Sequence, residues 1–211
     1  VSGGATFGGT GTISGAALLS SGAALAPGNL FATGRLTLGG LTLSGGNDLK
    51  FRLGNPLNSD SLTLTSANGL LASGANTIRL SLAPGAGFAL PGTYSLLSYT
   101  GAAPAEGALA LEGTSFGGLP ARLLNTGSVV AVEVSSRLTR NPDKGVFAAG
   151  ESVTYSVEVP DGAPVQWYRN GEAVAGAQSG VLTLGSLALS DQGEYEARIG
   201  GGSQAYTVGA G

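Results

Sequence analysis

The feature that most constrains this chain is the brevity of its apolar runs. Short Leu/Thr alternations recur at Arg35-Leu-Thr-Leu38, Leu41-Thr-Leu-Ser44 and Ser61-Leu-Thr-Leu-Thr65, each close to glycine or a turn residue. Period two sends leucine to one face and threonine to the other, the signature of a half-buried strand. None of these runs can make a sheet alone. They become stable when successive strands stack and bury one continuous apolar interior. The 38 glycines follow no Gly-X-Y period and are accompanied by only 9 prolines, so collagen is excluded and many tight turns are implied. The nearest helix window, Ala102 to Gly107, is spoiled by Pro104 and Gly107. The expectation is an all-β protein.

Composition narrows the chemistry. Cysteine, histidine and methionine are absent, so disulfides, thiolate nucleophiles, imidazole bases and N/S zinc sites are excluded. Charged residues are only 11% against 42% hydrophobic, and no Lys/Arg cluster offers a nucleic-acid footprint. Asp48 and Asp60 read as isolated, solvated carboxylates rather than a glycosidase pair. Gly9-Thr-Gly11 and Gly85-Ala-Gly87 lack the Gly-Lys-Ser/Thr ending of a phosphate loop, and Asp161 and Asp191 lack calcium-loop spacing. The expectation is therefore no enzyme, no catalytic residues, no cofactor and no metal. No apolar run approaches membrane-spanning length, so membrane insertion is not expected. Val1 followed at once by turn material reads as a mature piece or a fragment.

Further strands are expected at Gly11-Thr-Ile-Ser-Gly15, Ala16-Ala-Leu-Leu19, Asp48-Leu-Lys-Phe-Arg-Leu53, Asn76 to Leu82, Gly92 to Gly101, Ala108 to Leu111 and Ser128 to Val134. The succession of Ala24-Leu-Ala-Pro-Gly28, Gly34 to Leu43, Leu49 to Gly54, Asp60-Ser-Leu-Thr-Leu64 and Leu90 to Gly101 resembles the autotransporter-associated, or passenger-associated, β-strand repeat. That resemblance covers residues 1–135. It implies a β-solenoid, or β-helix-like, module of secreted or surface-displayed bacterial proteins.

Composition shifts after Ser135: glycine thins and charges appear. Arg137 to Pro142 reads as a linker leading into a first strand. Glu151 to Val159 alternates with Val153, Tyr155, Val157 and Val159 on one face. Val165-Gln-Trp-Tyr-Arg169 is a second strand, and Asn170-Gly171 is a hairpin signal. Val181 to Leu184, Gly193 to Ile199 and Ser203 to Val208 complete the set. Trp167 on the presumed third strand and Ser190-Asp-Gln-Gly-Glu-Tyr195 before the sixth resemble an I-set immunoglobulin-like domain over residues 136–211. The resemblance implies a β-sandwich, a core Trp167, a tyrosine corner at Tyr195, and an apolar pair, Val157 and Ala197, in the positions of the family's disulfide.

The functional expectation is a non-catalytic structural or adhesive protein at the bacterial cell surface or outside the cell. Through Ser136 five basic residues (Arg35, Lys50, Arg52, Arg79, Arg122) balance five acidic ones (Asp48, Asp60, Glu106, Glu112, Glu133). Copies of that segment do not repel. The start of the chain runs directly into strand-like material with no recognisable cap. Two expectations stand side by side: further strands of the same chain precede Val1, or Val1, Phe7 and Ile13 contact the edge strand of a neighbouring copy at Tyr206 and Val208. Partners are thus the chain itself, or other surface proteins and glycans. The alternative is a carbohydrate-binding accessory module, with Tyr94, Tyr99, Tyr168 or Tyr206 as platform. Outward Thr37, Thr42 and Thr63 offer a ladder along the strands, but without a regular Thr-x-Thr in every rung the reading is that threonine simply suits exposed strand positions.

Overall fold

The computed structural model describes residues 1–201 and 205–210. It divides into two compact units, Val1–Ser135 and Ser136–Gly211. Regular structure among the described residues consists of 21 strands and one 3-10 turn, Leu189–Asp191, arranged in several sheets with no closed barrel. Ser203 and Gln204, which open the last expected strand, lie outside the described residues.

The first unit holds β1 (Thr6–Gly9), β2 (Gly11–Leu19), β3 (Ala24–Pro27), β4 (Arg35–Leu43), β5 (Asp48–Asn55), β6 (Asn58–Ser59), β7 (Ser61–Ala67), β8 (Leu70–Ala72), β9 (Asn76–Leu82), β10 (Gly92–Thr100), β11 (Leu109–Leu111), β12 (Ser115–Phe116), β13 (Leu119–Asn125) and β14 (Val129–Val134). The chain alternates between two sheets. One runs β1-β3-β5-β9-β11, with parallel pairing throughout and β6 folded back antiparallel on β5. The other starts β2-β4-β7-β10 in parallel, with β8 beside β4. It then changes sense, because β14, β13 and β12 add antiparallel to β10. Runs separated by glycine in the sequence merge: Arg35 to Leu43 is one strand, and Gly11 to Leu19 another with an irregularity between Ile13 and Ala16.

Register explains why short runs suffice. Equivalent apolar residues stack on one another from strand to strand, as in Phe7–Leu25–Leu49–Ile78–Leu111. The facing sheet stacks Ile13–Leu38–Leu64. Apart from exposed Ile13, these columns share one core with Phe51, Leu53, Tyr94 and Val132. Each aliphatic side chain so buried contributes about 1.5–3 kcal/mol relative to exposure. Glycine is needed where strands lie closest: a Cβ at Gly39 would overlap the Ser14 carbonyl oxygen.

Side-chain amides at the corners donate to backbone carbonyls, although Asn47 Oδ1 is buried with no partner among the described residues. Asn47, just before β5, and Asn76, the first residue of β9, are buried at equivalent positions. The Asn47 N–H donates to Asn76 Oδ1 at 3.3 Å, and Asn76 Nδ2 donates to the Ala108 carbonyl at 3.0 Å. Asp60 corrects the sequence expectation. It is 1% exposed and pairs with Arg52, whose Nε lies 2.7 Å from Oδ2. Sequence spacing cannot reveal this pair, because β5, the fold-back at β6 and the start of β7 together turn Asp60 inward beneath the guanidinium.

The second unit holds β15 (Leu138–Asn141), β16 (Val153–Val157), β17 (Val165–Arg169), β18 (Glu172–Ala173), β19 (Val181–Leu184), β20 (Tyr195–Ile199) and β21 (Tyr206–Ala210). Two antiparallel sheets form, β15-β16-β19 and β18-β17-β20-β21. The expected linker at Arg137 to Pro142 is largely a strand, since β15 pairs Leu138 to Asn141 with Val157 to Thr154. Asn170 and Gly171 both have positive φ, 52° and 83°, and close the β17–β18 hairpin in the manner of a type I′ turn.

Candidate contact surfaces

The two ends of the first unit differ. At one end β14, β13 and β12 follow β10 antiparallel, with Pro120 in β13 and the ion pair Arg122–Glu133 across the last strands. Proline and charge are standard means of blunting an edge. At the other end β1 pairs only with β3, and β2 only with β4, among the described strands. The apolar column then ends in the open: Leu38 is 1% exposed and Leu64 3%, whereas Ile13 is 46% exposed. Leu18 on the same strand is 55% exposed.

The outer edge of β2 accepts a parallel strand. The Leu19 carbonyl faces β4, where it receives the Ser44 N–H. Leu18 and Ser20 therefore face the other way, and there they meet Val1. The Val1 amine donates to the Leu18 carbonyl at 2.6 Å, and the Ser20 N–H donates to the Val1 carbonyl at 3.0 Å. That exchange is one parallel bridge. From Gly11 to Ala17 the same edge has no backbone partner among the described residues. Val1 is thus bound at this end, Phe7 is half-buried against the core, and Ile13 is exposed. Tyr206 and Val208 are half-buried and turned toward the core of the second unit, so β21 offers its backbone edge rather than these side chains.

A second surface was not anticipated. Leu30 and Phe31, between β3 and β4, are 87% and 85% exposed, and Leu57, between β5 and β6, is 99% exposed. Both loops are held in shape. Asn29 Oδ1 accepts the N–H groups of Phe31 and Ala32, and Asn55 Oδ1 accepts that of Leu57. These Asx turns hold each apolar tip out. Thr33 Oγ1 donates to Asn58 Oδ1 at 2.6 Å, tying the loops together. Beneath them Arg52 donates to the Asn29 and Ala32 carbonyls, while Asp60 Oδ1 accepts the Gly34 N–H at 2.9 Å. A Cβ at Gly28 would overlap both Arg52 and Asp60, and its φ of 85° suits glycine. The available signal was Leu30-Phe31 standing in a turn segment, outside any alternating run.

In the second unit a cleft of about 450 Å³ opens at Phe147, Leu184, Leu187 and the 3-10 turn. Its lining grades from buried Val153, Tyr155 and Tyr195 to Val146 and Leu189, which are 83% and 82% exposed. The core behind it contains Trp167, 0% exposed, whose Nε1 donates to the Ser179 carbonyl at 2.8 Å. Tyr195 donates from its hydroxyl to the Asp191 carbonyl at 2.8 Å, and burial raises its pKa. Val157 and Ala197 are buried in the same cluster. The ring packed against Trp167 and stacked on Tyr195 is that of Tyr155, at centroid distances of 6.1 and 5.3 Å. Asp191 accepts the Ala188 N–H with Oδ2, capping the turn.

The four tyrosines considered as a glycan platform do not converge. Tyr94 and Tyr99 are buried, donating to the Leu90 carbonyl and Asn125 Oδ1. The Tyr206 hydroxyl is buried, and Arg198 stacks 3.8 Å from the centre of the Tyr168 ring. The outward threonines align only in part. Thr37 aligns with Thr63 and Thr12, and Thr63 with Ser98, whereas Thr42 aligns with Leu18 and Leu71. No family model and no curated protein matches the chain.

Proposed function

We propose that this chain is a non-catalytic structural or adhesive module of a bacterial surface protein, built from a β-solenoid and an immunoglobulin-like sandwich, and that copies associate end to end. The solenoid reading is supported by the return of the chain from one sheet to the other, with parallel pairing along β1-β3-β5-β9-β11 and β2-β4-β7-β10 and stacked apolar columns. The sandwich reading is supported by the strand order β15-β16-β19 facing β18-β17-β20-β21, and by the Tyr195 hydroxyl reaching back to Asp191. The location is proposed on the passenger-repeat resemblance, and the absence of cysteine fits an exported protein.

One observation carries the end-to-end reading: the column Ile13–Leu38–Leu64 is buried at its second and third members and exposed at its first, beside the stretch of β2 from Gly11 to Ala17 that has no backbone partner on its outer edge among the described residues. The strand offered in return is β21, which among the described strands pairs with β20 alone, although β15 lies near it. Such a contact joins unlike surfaces and propagates into a filament unless its rotation closes. Ile13→Lys with Leu18→Lys places charge on that edge. Loss of concentration-dependent association, with circular dichroism unchanged, supports the reading. Association undiminished by the two lysines refutes it.

A further inference from the structure

The loop pair of the first unit and the cleft of the second have complementary features, and neither belongs to the open β2 edge. Leu30, Phe31 and Leu57 are fixed in exposed positions by Asx turns and by the buried Arg52–Asp60 pair. Holding large apolar groups out in rigid loops is unfavourable in water unless something covers them. The cleft, at about 450 Å³, lies toward the small end of the range of about 300–1,000 Å³ typical of ligand pockets, suited to one or two large side chains. Its lining mixes apolar side chains with Arg140, Asp191 and Gln192, and the cations at and beside it are engaged, Arg140 with Asp143 and Lys144 with Glu151. Charges around the two surfaces also match. Beside the loops, Arg35 and Lys50 enter no ion pair among the described residues. Next to the cleft, exposed Glu194 is likewise unpaired, and Asp191 has only Arg169 at 3.7 Å.

We infer that the Leu30–Phe31 tip of one copy seats in the Phe147–Leu187–Leu189 cleft of a second copy, with Leu57 closing against the rim. Arg52 and Asp60 act as positioning residues for this contact, because they fix the loops without touching the partner. The contact is independent of the β2 edge, so it also forms in chains carrying Ile13→Lys and Leu18→Lys.

The absence of cysteine makes the test direct. Two populations of the full chain, one with Leu30→Cys and one with Leu189→Cys, are mixed under mild oxidation. Chains with Asp161→Cys serve as the exposed control. The expected result is a mixed disulfide between the Leu30→Cys and Leu189→Cys chains that forms well above the control. Phe31→Asp in the first population suppresses it by about 10–100-fold, as burial of one large apolar side chain implies. Running the pair with Ile13→Lys and Leu18→Lys separates this contact from end-to-end docking. Cross-linking at the control level overturns the inference. So does a concentration-independent disulfide within a single chain carrying both cysteines, which would place the tip in its own cleft. Binding of the wild-type chain to neutral phosphatidylcholine vesicles, abolished by Phe31→Asp without any mixed disulfide, would instead assign the tip to lipid.

Discussion

Replacing Arg52 by Met tests the polar clip on which the loop corner depends. Asp60 is 1% exposed and accepts from Arg52 Nε at 2.7 Å, Arg52 Nη2 at 3.1 Å, the Arg52 N–H at 3.0 Å and the Gly34 N–H at 2.9 Å. Met leaves the two backbone donors but strands a buried carboxylate without its counter-ion. Removing one partner of a buried pair costs about 3–5 kcal/mol. The upper part applies here, because the stranded group cannot reach water. Asp60→Ala sits lower, near 3 kcal/mol, because the remaining guanidinium is 21% exposed and can rehydrate. With a urea slope of about 2 kcal/mol per molar, Arg52→Met moves the midpoint of the first unit down by about 2 M. Far-UV circular dichroism follows both units, while Trp167, the single tryptophan, reports the second unit alone and serves as internal control. Arg52→Met with Asp60→Asn recovers part of the loss, since the neutral amide removes the stranded charge and its one oxygen still accepts from one of the two backbone donors. Hydrogen exchange at Phe31 and Ala32 rises in the single variant, as their loop loses its anchor. An unchanged midpoint, or a double variant worse than Arg52→Met, refutes the clip.

Three more outcomes follow from the packing. Trp167→Ala removes a fully buried ring and its hydrogen bond, costing about 3–5 kcal/mol and exposing the second unit, but not the first, to limited proteolysis. Cysteines at Val157 and Ala197 oxidise to a disulfide in the folded chain, which mass spectrometry of the non-reduced protein detects, whereas cysteines at Thr154 and Ala197 do not. Raising the pH destabilises the first unit: burial pushes the Tyr94 phenol up to about 12, so the unfolded chain loses this proton first, and denaturation midpoints fall between the ordinary value of 10.0 and about 12. Tyr94→Phe flattens that dependence.

Period-two alternation made the strands of this chain legible from residues alone. Leu49, Phe51 and Leu53 are buried while Lys50 faces out, as the sequence pattern requires. The Asn170-Gly171 turn was equally legible, because few dipeptides adopt two successive positive φ values. What alternation cannot convey is which distant strand each run joins. The pairing of Leu49 with Ile78 depends on loop geometry between them, and the reversal from parallel β10 to antiparallel β14 has no local signature. Asp60 was misread for the same reason, since its partner is fixed by a fold-back rather than by spacing. The residues resembling an immunoglobulin-like core, Trp167, Tyr195, Val157 and Ala197, are all buried in one cluster, but Tyr155, which packs on both aromatic rings, was read only as a strand residue. Exposed Leu30, Phe31 and Leu57 escaped notice because a sequence does not show which apolar residue a loop will hold in solvent.

End-to-end assembly through the open β2 edge is tested most directly by sedimentation velocity of the full chain over a wide concentration range, with negative-stain imaging of the same samples. The account predicts particles that lengthen with concentration into open, unbranched chains, and their loss on introducing Ile13→Lys and Leu18→Lys. A chain that stays monomeric at every concentration, or that stops at a closed dimer, contradicts it.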